Sequence, residues 1–237
     1  MQRMNSRWLD RWKSAGWNDF VLLVSGFGLC LCGWIFLSVA RAVMHGSEVG
    51  FDERLMLAFR HPDNLALPFG PAWVPDMARD ISAVGSAVVI ILLSLLVIGF
   101  LVMRRQWRFV ALLVVAIAGG HFVNTALKGI YARERPQVVP HLTPVNSASF
   151  PSGHSAASSV VYLTMGALLA QAAERKREKI YFITAAFGLT FLIGLSRVFL
   201  GVHYPSDVLA GWSIGTAWAL VCWLVATRFQ DRTKAPA

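Results

Sequence analysis

The chain has 237 residues, of which 56% are hydrophobic and only 15% charged, with a formal net charge of +9. A soluble domain of this length carries about 25% charged residues, so the composition argues against one and points to apolar runs that cross a bilayer. The lysines and arginines cluster between those runs, a pattern that reports membrane orientation and argues against a nucleic-acid partner.

In chain order, residues 1–19 form a cytoplasmic interfacial segment. Trp8, Trp12 and Trp17 stand among Arg7, Arg11 and Lys13 at near-helical spacing, which suits an anchor on the inner leaflet. The first span is Phe20 to Ala40, uncharged throughout. A basic start and Ala40-Arg41-Ala42 loosely resemble a cleaved secretory signal, but the apolar run exceeds the usual ~7–15 residues, so a retained helix is expected. An external stretch follows from His45 to Asp80. Phe51, Leu55 and Phe59 recur there at helical spacing with Asp52 as a candidate N-cap, predicting a short surface helix. Pro68, Pro71 and Pro75 then break regular structure.

The second span is Ile81 to Met103 and the third Phe109 to Leu127, whose lone His121 lies near Gly119-Gly120 and Asn124 and suggests hydrogen-bonded packing. The fourth, Ser155 to Ala173, is diluted by serines and offers a small-residue face for close helix packing. The fifth is Ile180 to Ser196 and the sixth Val208 to Thr227. Each is near the ~20 residues that cross a bilayer. The expected architecture is therefore an all-α bundle of six transmembrane helices in a single domain, with a six-span core over 20–227 and a tail over 228–237. Cys30, Cys32 and Cys222 fall inside apolar runs at no metal or redox spacing and read as small buried side chains.

An even number of spans puts both termini on one side. The N-terminal segment, Arg104-Arg105-Gln106-Trp107-Arg108, the cluster Arg175, Lys176, Arg177 and Lys179, and the tail with Arg228, Arg232 and Lys234 all fall on that side, which is expected to be cytoplasmic.

The opposite side carries the chemistry. Lys128 and Arg135-Pro136 follow the third span, Pro151-Ser152-Gly153-His154 precede the fourth, Ser196-Arg197 end the fifth, and His203 with Asp207 lead into the sixth. Topology thus brings three cations, two histidines and one carboxylate to one membrane face, where charge costs several kcal/mol unless paired or hydrated. Arginine forks, a lysine and the free N–H groups at a helix start beside Gly153 are a phosphate cradle. A neutral histidine whose second ring nitrogen donates to a carboxylate four residues on is a nucleophile for phosphorus, and His154 is placed to serve as acid and then base. His45, His61 and His141 are loop histidines without evident partners, Tyr131 and Tyr204 are candidate site linings, and Arg133 with Glu134 reads as a local surface pair of little energetic value.

Lys128-x6-Arg135-Pro136, Pro151-Ser152-Gly153-His154 and Ser196-Arg197-x5-His203-x3-Asp207 together resemble the three-part signature of the type 2 phosphatidic-acid phosphatase family, which shares a superfamily with vanadium haloperoxidases and bacterial acid phosphatases. The resemblance implies a metal-independent lipid phosphate phosphohydrolase of the bacterial inner membrane with an outward-facing site. His203 would form a phosphohistidine oriented by Asp207, and His154 would be the general acid. Lys128, Arg135 and Arg197, with Ser152 and the Gly153 backbone, would hold the phosphoryl oxygens. No cofactor, metal or obligate protein partner is implied. Undecaprenyl diphosphate, phosphatidylglycerophosphate, phosphatidate and lipid A 1-phosphate are the substrates to consider, with specificity expected in Val49 to Pro75 and Gln137 to Phe150. The alternatives are a lipid phosphotransferase with the same intermediate and a non-catalytic lipid-phosphate binder or transporter; the soluble haloperoxidases do not fit six spans.

Overall fold

Backbone N–H and C=O groups find no water in hydrocarbon, so uncharged apolar runs close into helices. The computed structural model describes residues 17–232. Its helices are α1 (Trp17–His45), α2 (Val49–Leu57), α3 (Val74–Val84), α4 (Ala87–Met103), α5 (Trp107–Tyr131), α6 (Gly153–Ala172), α7 (Lys176–Phe199) and α8 (Pro205–Arg232). The expected N-terminal anchor around Trp8 and Trp12 and the end of the tail with Lys234 lie outside the described residues.

Among the described residues five helices are long and apolar enough to cross a bilayer, and α3 with α4 passes the same test as a pair bent by 46°. The expected continuous second span is thus corrected. It breaks at Gly85-Ser86, where the Ser86 side chain accepts from Val89 N at 3.4 Å and starts a new helix. A Cβ on Gly85 would lie 2.4 Å from Ile193 Cγ2, so only glycine lets α7 press into the bend. Between α2 and α3 a small antiparallel hairpin, β1 (Arg60–His61) and β2 (Asn64–Pro68), ends at Pro68, and Pro75, expected to break regular structure, instead sits in the first turn of α3.

The surface helix is present as α2, but Asp52 is not its N-cap. Glu48 holds that position, and Asp52 lies one turn in with its side chain fully buried. Phe51 and Leu55 face outward instead.

The least apolar span is the central one. Half of the α6 stretch is buried, against 11% for α1, and α6 packs on α4, α5, α7 and α8. Without a hydrophobic difference between lipid and protein, such contacts rest on close approach of small residues. α8 supplies Gly211-x3-Gly215: a Cβ at Gly211 would sit 2.6 Å from Ser152 O, and one at Gly215 2.5 Å from Ala156 O. On its other sides α8 drives Trp212 over Gly194 of α7 and Trp218 over Gly119 of α5, each indole N–H donating to a carbonyl, Thr190 O at 3.0 Å and Ala116 O at 2.9 Å.

The links 104–106 and 173–175 lie at one end of the bundle. Gathered at the other end are α2, the hairpin, α3, the loop 132–152 and the link 200–204. Gly211→Val should force α6 and α8 apart at a cost of about 1–3 kcal/mol. A thermal scan in detergent should show a lower midpoint, while Gly188→Ala, where a Cβ meets nothing within 4 Å, leaves it unchanged or raised.

Candidate active site

The cations reach the site from the last turn of α5, the loop that follows it and the last turn of α7, and each is held by neutral oxygens. Lys128, in the last turn of α5, donates to Ala148 O. The helix then stops at Ala132 in a left-handed conformation (φ 42°), which costs an L-residue roughly 1–2 kcal/mol and throws the chain into an extended loop. Arg135 on that loop donates from Nε to Ser147 O and from Nη1 to Val202 O, both at 2.7 Å. Arg197, buried in the last turn of α7, donates to Ser82 Oγ of α3 at 2.7 Å, and its buried Nε has no protein partner. None of the three makes an ion pair with a carboxylate among the described residues. Carbonyls and hydroxyls therefore orient the cations without neutralising them, and three positive charges stay available to an anion.

The start of α6 closes the cradle. Ser152 is the N-cap, with its side chain accepting from Ser155 N at 3.5 Å and its own N–H donating to Asp207 O at 2.9 Å. A Cβ on Gly153 would come 3.5 Å from Asn124 Nδ2 and 3.8 Å from Lys128 Cε, ordinary contact distances that place this backbone beside the lysine. His154 follows on the first turn, its Cδ2 only 3.4 Å from where a Gly85 Cβ would stand.

His203 is 2% exposed in the link between α7 and α8. Its Nδ1 is 3.4 Å from Asp207 Oδ2, looser than the usual ~2.9 Å. Ser149 Oγ donates to the same Oδ2 and lies 3.4 Å from Nδ1. Tyr204 N also donates to Oδ2, at 2.9 Å. On the far side of the ring Nε2 is 3.3 Å from Arg135 Nη1. Burial pushes the imidazole down to about 4; Asp207 opposes this, while Arg135 and Arg197 add to it. The ring is therefore neutral at pH 7. A proton on Nδ1, facing the carboxylate, leaves the Nε2 lone pair directed toward Arg135 Nη1.

All eight residues singled out by spacing thus stand at one end of the bundle. One that spacing dismissed stands there too, and Arg133 is not half of a surface pair with Glu134. Its Nη1 donates to Asp207 Oδ1 and Ser206 Oγ, both at 2.7 Å, and its Nη2 to Glu48 Oε1 at 3.0 Å and Asp52 Oδ2 at 3.1 Å. Its Cζ lies 4.1 Å from the Tyr204 ring centroid. Burial lowers the guanidinium, but Asp207 and Asp52 outweigh burial and carry it above the ordinary arginine value. The available signal was Glu48 and Asp52, four apart on one face of a helix whose other face is apolar, an acidic pair in want of a cation. Ser82 and Ser149 carried no comparable signal.

The minor expectations divide. Tyr204 lies against Arg133, whereas Tyr131 packs edge-on against Phe36 and Phe150 away from the charges. His121 is exposed rather than packed, because Trp218 fills the space over Gly119-Gly120. His141 Nε2 is 2.6 Å from Pro136 O, and His61 stacks on Phe69 with centroids 4.6 Å apart.

A family model described as the PAP2 superfamily matches residues 109–231, the stretch that holds every one of these site residues except the partners on α2 and α3. The chain belongs to the PAP2 superfamily. Phosphatidylglycerophosphatase B of Bacillus subtilis is 30% identical over 204 residues, covering 84% of this chain and 93% of that protein. Lipid A 1-phosphatase of Rhizobium johnstonii is 41% identical over 80 residues, 34% of this chain and 29% of that protein. The crystal structure of a transmembrane PAP2-type phosphatidylglycerolphosphate phosphatase from Bacillus subtilis superposes with a TM-score of 0.73 at 25% identity, covering 89% of this chain and 100% of that one. This PAP2 protein is accordingly a multi-pass membrane enzyme, a lipid phosphatase that hydrolyses a phosphoric monoester.

The depressed imidazole makes a direct prediction. In nitrogen-labelled PAP2 protein, the His203 ring should remain neutral at pH 5.5 with its proton on Nδ1, and charge only as pH nears 4. A ring half-protonated near pH 6.5 would contradict the buried environment described above.

Proposed function

We propose that the enzyme dephosphorylates a lipid phosphate at the outer face of the bacterial inner membrane through a phosphohistidine on His203, with no metal ion. The observation that carries the reading is the position of His203, a neutral imidazole between a buried carboxylate and three cations that have no carboxylate partners. Nε2 attacks phosphorus while the lipid oxygen leaves with a proton from His154. His154 then takes a proton from water, the oxygen of which displaces His203 and releases inorganic phosphate. Lys128, Arg135 and Arg197, with Ser152 and the Gly153 N–H at the α6 N-terminus, stabilise the transferring oxygens.

Orientation follows from charge. The basic links 104–108 and 175–179 are assigned to the cytoplasmic side with both termini, which leaves the cradle facing outward. The whole chain acts as one phosphatase domain. Phosphatidylglycerophosphate is the favoured substrate, because the relative that acts on it aligns over nearly its full length, whereas the lipid A 1-phosphatase aligns over a third of this chain. Undecaprenyl diphosphate and phosphatidate are the further candidates.

The test is phosphate release in detergent with excess EDTA, comparing wild type with His203→Ala on those four lipids. Wild type should release phosphate, fastest from phosphatidylglycerophosphate, and His203→Ala should be slower by about 10³-fold or more. Vanadate should compete with the substrate as a mimic of the five-coordinate transition state. Abolition by EDTA with recovery on added metal would overturn the metal-free mechanism. Release only when an acceptor lipid is present would make the enzyme a phosphotransferase.

A further inference from the structure

The reaction just described gives no task to Arg133 or to α2, yet these hold the most heavily bonded charge cluster among the described residues. We infer that Arg133 and Asp52 are positioning residues of the reaction, acting on His203 through Asp207, and that α2 belongs to the catalytic apparatus for that reason. The inference rests on the assignment of His203 and Asp207 in the proposed function.

The geometry argues for more than a clamp. The four terminal N–H groups of the Arg133 guanidinium all have separate acceptors, Ser206, Asp207, Glu48 and Asp52. Lysine has three donors and no planar fork, so it cannot reproduce this set. By taking Oδ1 of Asp207, Arg133 fixes the rotation of that carboxylate. Oδ2 must then face His203 Nδ1, Ser149 and Tyr204 N. On the other side of the imidazole Arg135, 3.3 Å from Nε2, is a competing cation for a released carboxylate. An Asp207 drawn to that side would leave the ring without its acceptor and would occupy the phosphate cradle itself.

Asp52 fixes Arg133 in turn. It is fully buried, and besides the guanidinium its Oδ1 accepts from Ser206 N at 2.9 Å while Oδ2 accepts from Ser206 Oγ. Ser206 N is one of the otherwise unpaired N–H groups in the first turn of α8, the turn that bears Asp207. A single carboxylate on α2 therefore caps the helix that carries Asp207 and anchors the cation that orients it. The three carboxylates that Arg133 binds, Glu48, Asp52 and Asp207, are thereby kept on one side of His203, and Lys128, Arg135 and Arg197 on the other.

The experiment is steady-state phosphate release from phosphatidylglycerophosphate in mixed detergent micelles, or from whichever of the four lipids wild type hydrolyses fastest. Arg133→Met, Arg133→Lys, Asp52→Asn, Asp207→Asn and the double variant of Arg133→Met with Asp207→Asn are compared. Monodisperse elution and an unchanged thermal midpoint establish folding. Positioning through Asp207 predicts that kcat falls about 100-fold in Arg133→Met and about 10-fold in Asp52→Asn, with KM within twofold, and that Arg133→Lys falls between. It further predicts that the double variant is no slower than Asp207→Asn alone, since a residue acting only through Asp207 has nothing left to act on. Asp52→Asn keeps the shape and an acceptor for Ser206 N, so it decides the matter if the arginine variants do not fold.

A folded Arg133 or Asp52 variant with kcat within twofold of wild type overturns the inference, as do losses that multiply with Asp207→Asn. If Asp207→Asn itself keeps wild-type kcat, it is the assignment of the His203–Asp207 pair that has failed. If it loses activity while the Arg133 and Asp52 variants do not, only the present inference has.

Discussion

Asp207 is a fully buried carboxylate at the first turn of a membrane-spanning helix, where an unpaired charge costs several kcal/mol. Four donors at this end of the bundle meet that cost, Arg133 and Ser149 from the loop 132–152 and His203 and Tyr204 N from the link 200–204. The backbone of Asp207 meanwhile accepts from Ser152 N and so ties the start of α6 to the start of α8. The course of the loop, the seat of α2 and the register of α6 on α8 all follow from satisfying this one residue. Any displacement of those elements leaves either a carboxylate or a guanidinium buried alone.

Charge is separated across the imidazole. Carboxylates collect around Arg133, whereas Lys128, Arg135 and Arg197 point at carbonyl and hydroxyl oxygens. A carbonyl satisfies the direction of an N–H without cancelling its charge, so the cations stay oriented and electrostatically open. Preorganised positive charge in a partly dry site is the most effective way to stabilise a transferring phosphoryl group, because no solvent has to reorganise as charge develops.

The precision of this arrangement depends on how closely the helices approach. Gly211 and Gly215 let the α8 backbone touch that of α6 over the N-terminal turns that carry Ser152 and Asp207, and the bend at Gly85-Ser86 lets α3 lean in so that Ser82 meets Arg197. Tryptophans of α8 fill the wider gaps to α5 and α7. Buried serine hydroxyls of α6 are turned back on their own helix, Ser158 and Ser159 both donating to Ser155 O and Ser155 Oγ to Ser152 Oγ, whereas the buried Thr164 Oγ1 finds no partner.

The sequence by itself determined that the chain forms membrane helices, because uncharged runs of bilayer length have no other stable conformation in lipid. It also determined which end of the bundle gathers the histidines and cations, since alternation of spans leaves one assignment of the links. Tertiary structure alone decided what those residues touch. Spacing could not foretell that Arg133 rather than Glu134 turns inward, because the left-handed stop at Ala132 sets the phase of the loop that follows. Nor could it foretell that Asp52 is a buried anchor rather than a cap, because its partners lie 81 and 154 positions away in the chain. The split of the second span depends on Ile193 of α7 pressing on Gly85, a contact absent from any local pattern. Local periodicity records what a segment needs from its solvent, and long-range charge pairing is recorded only in the fold.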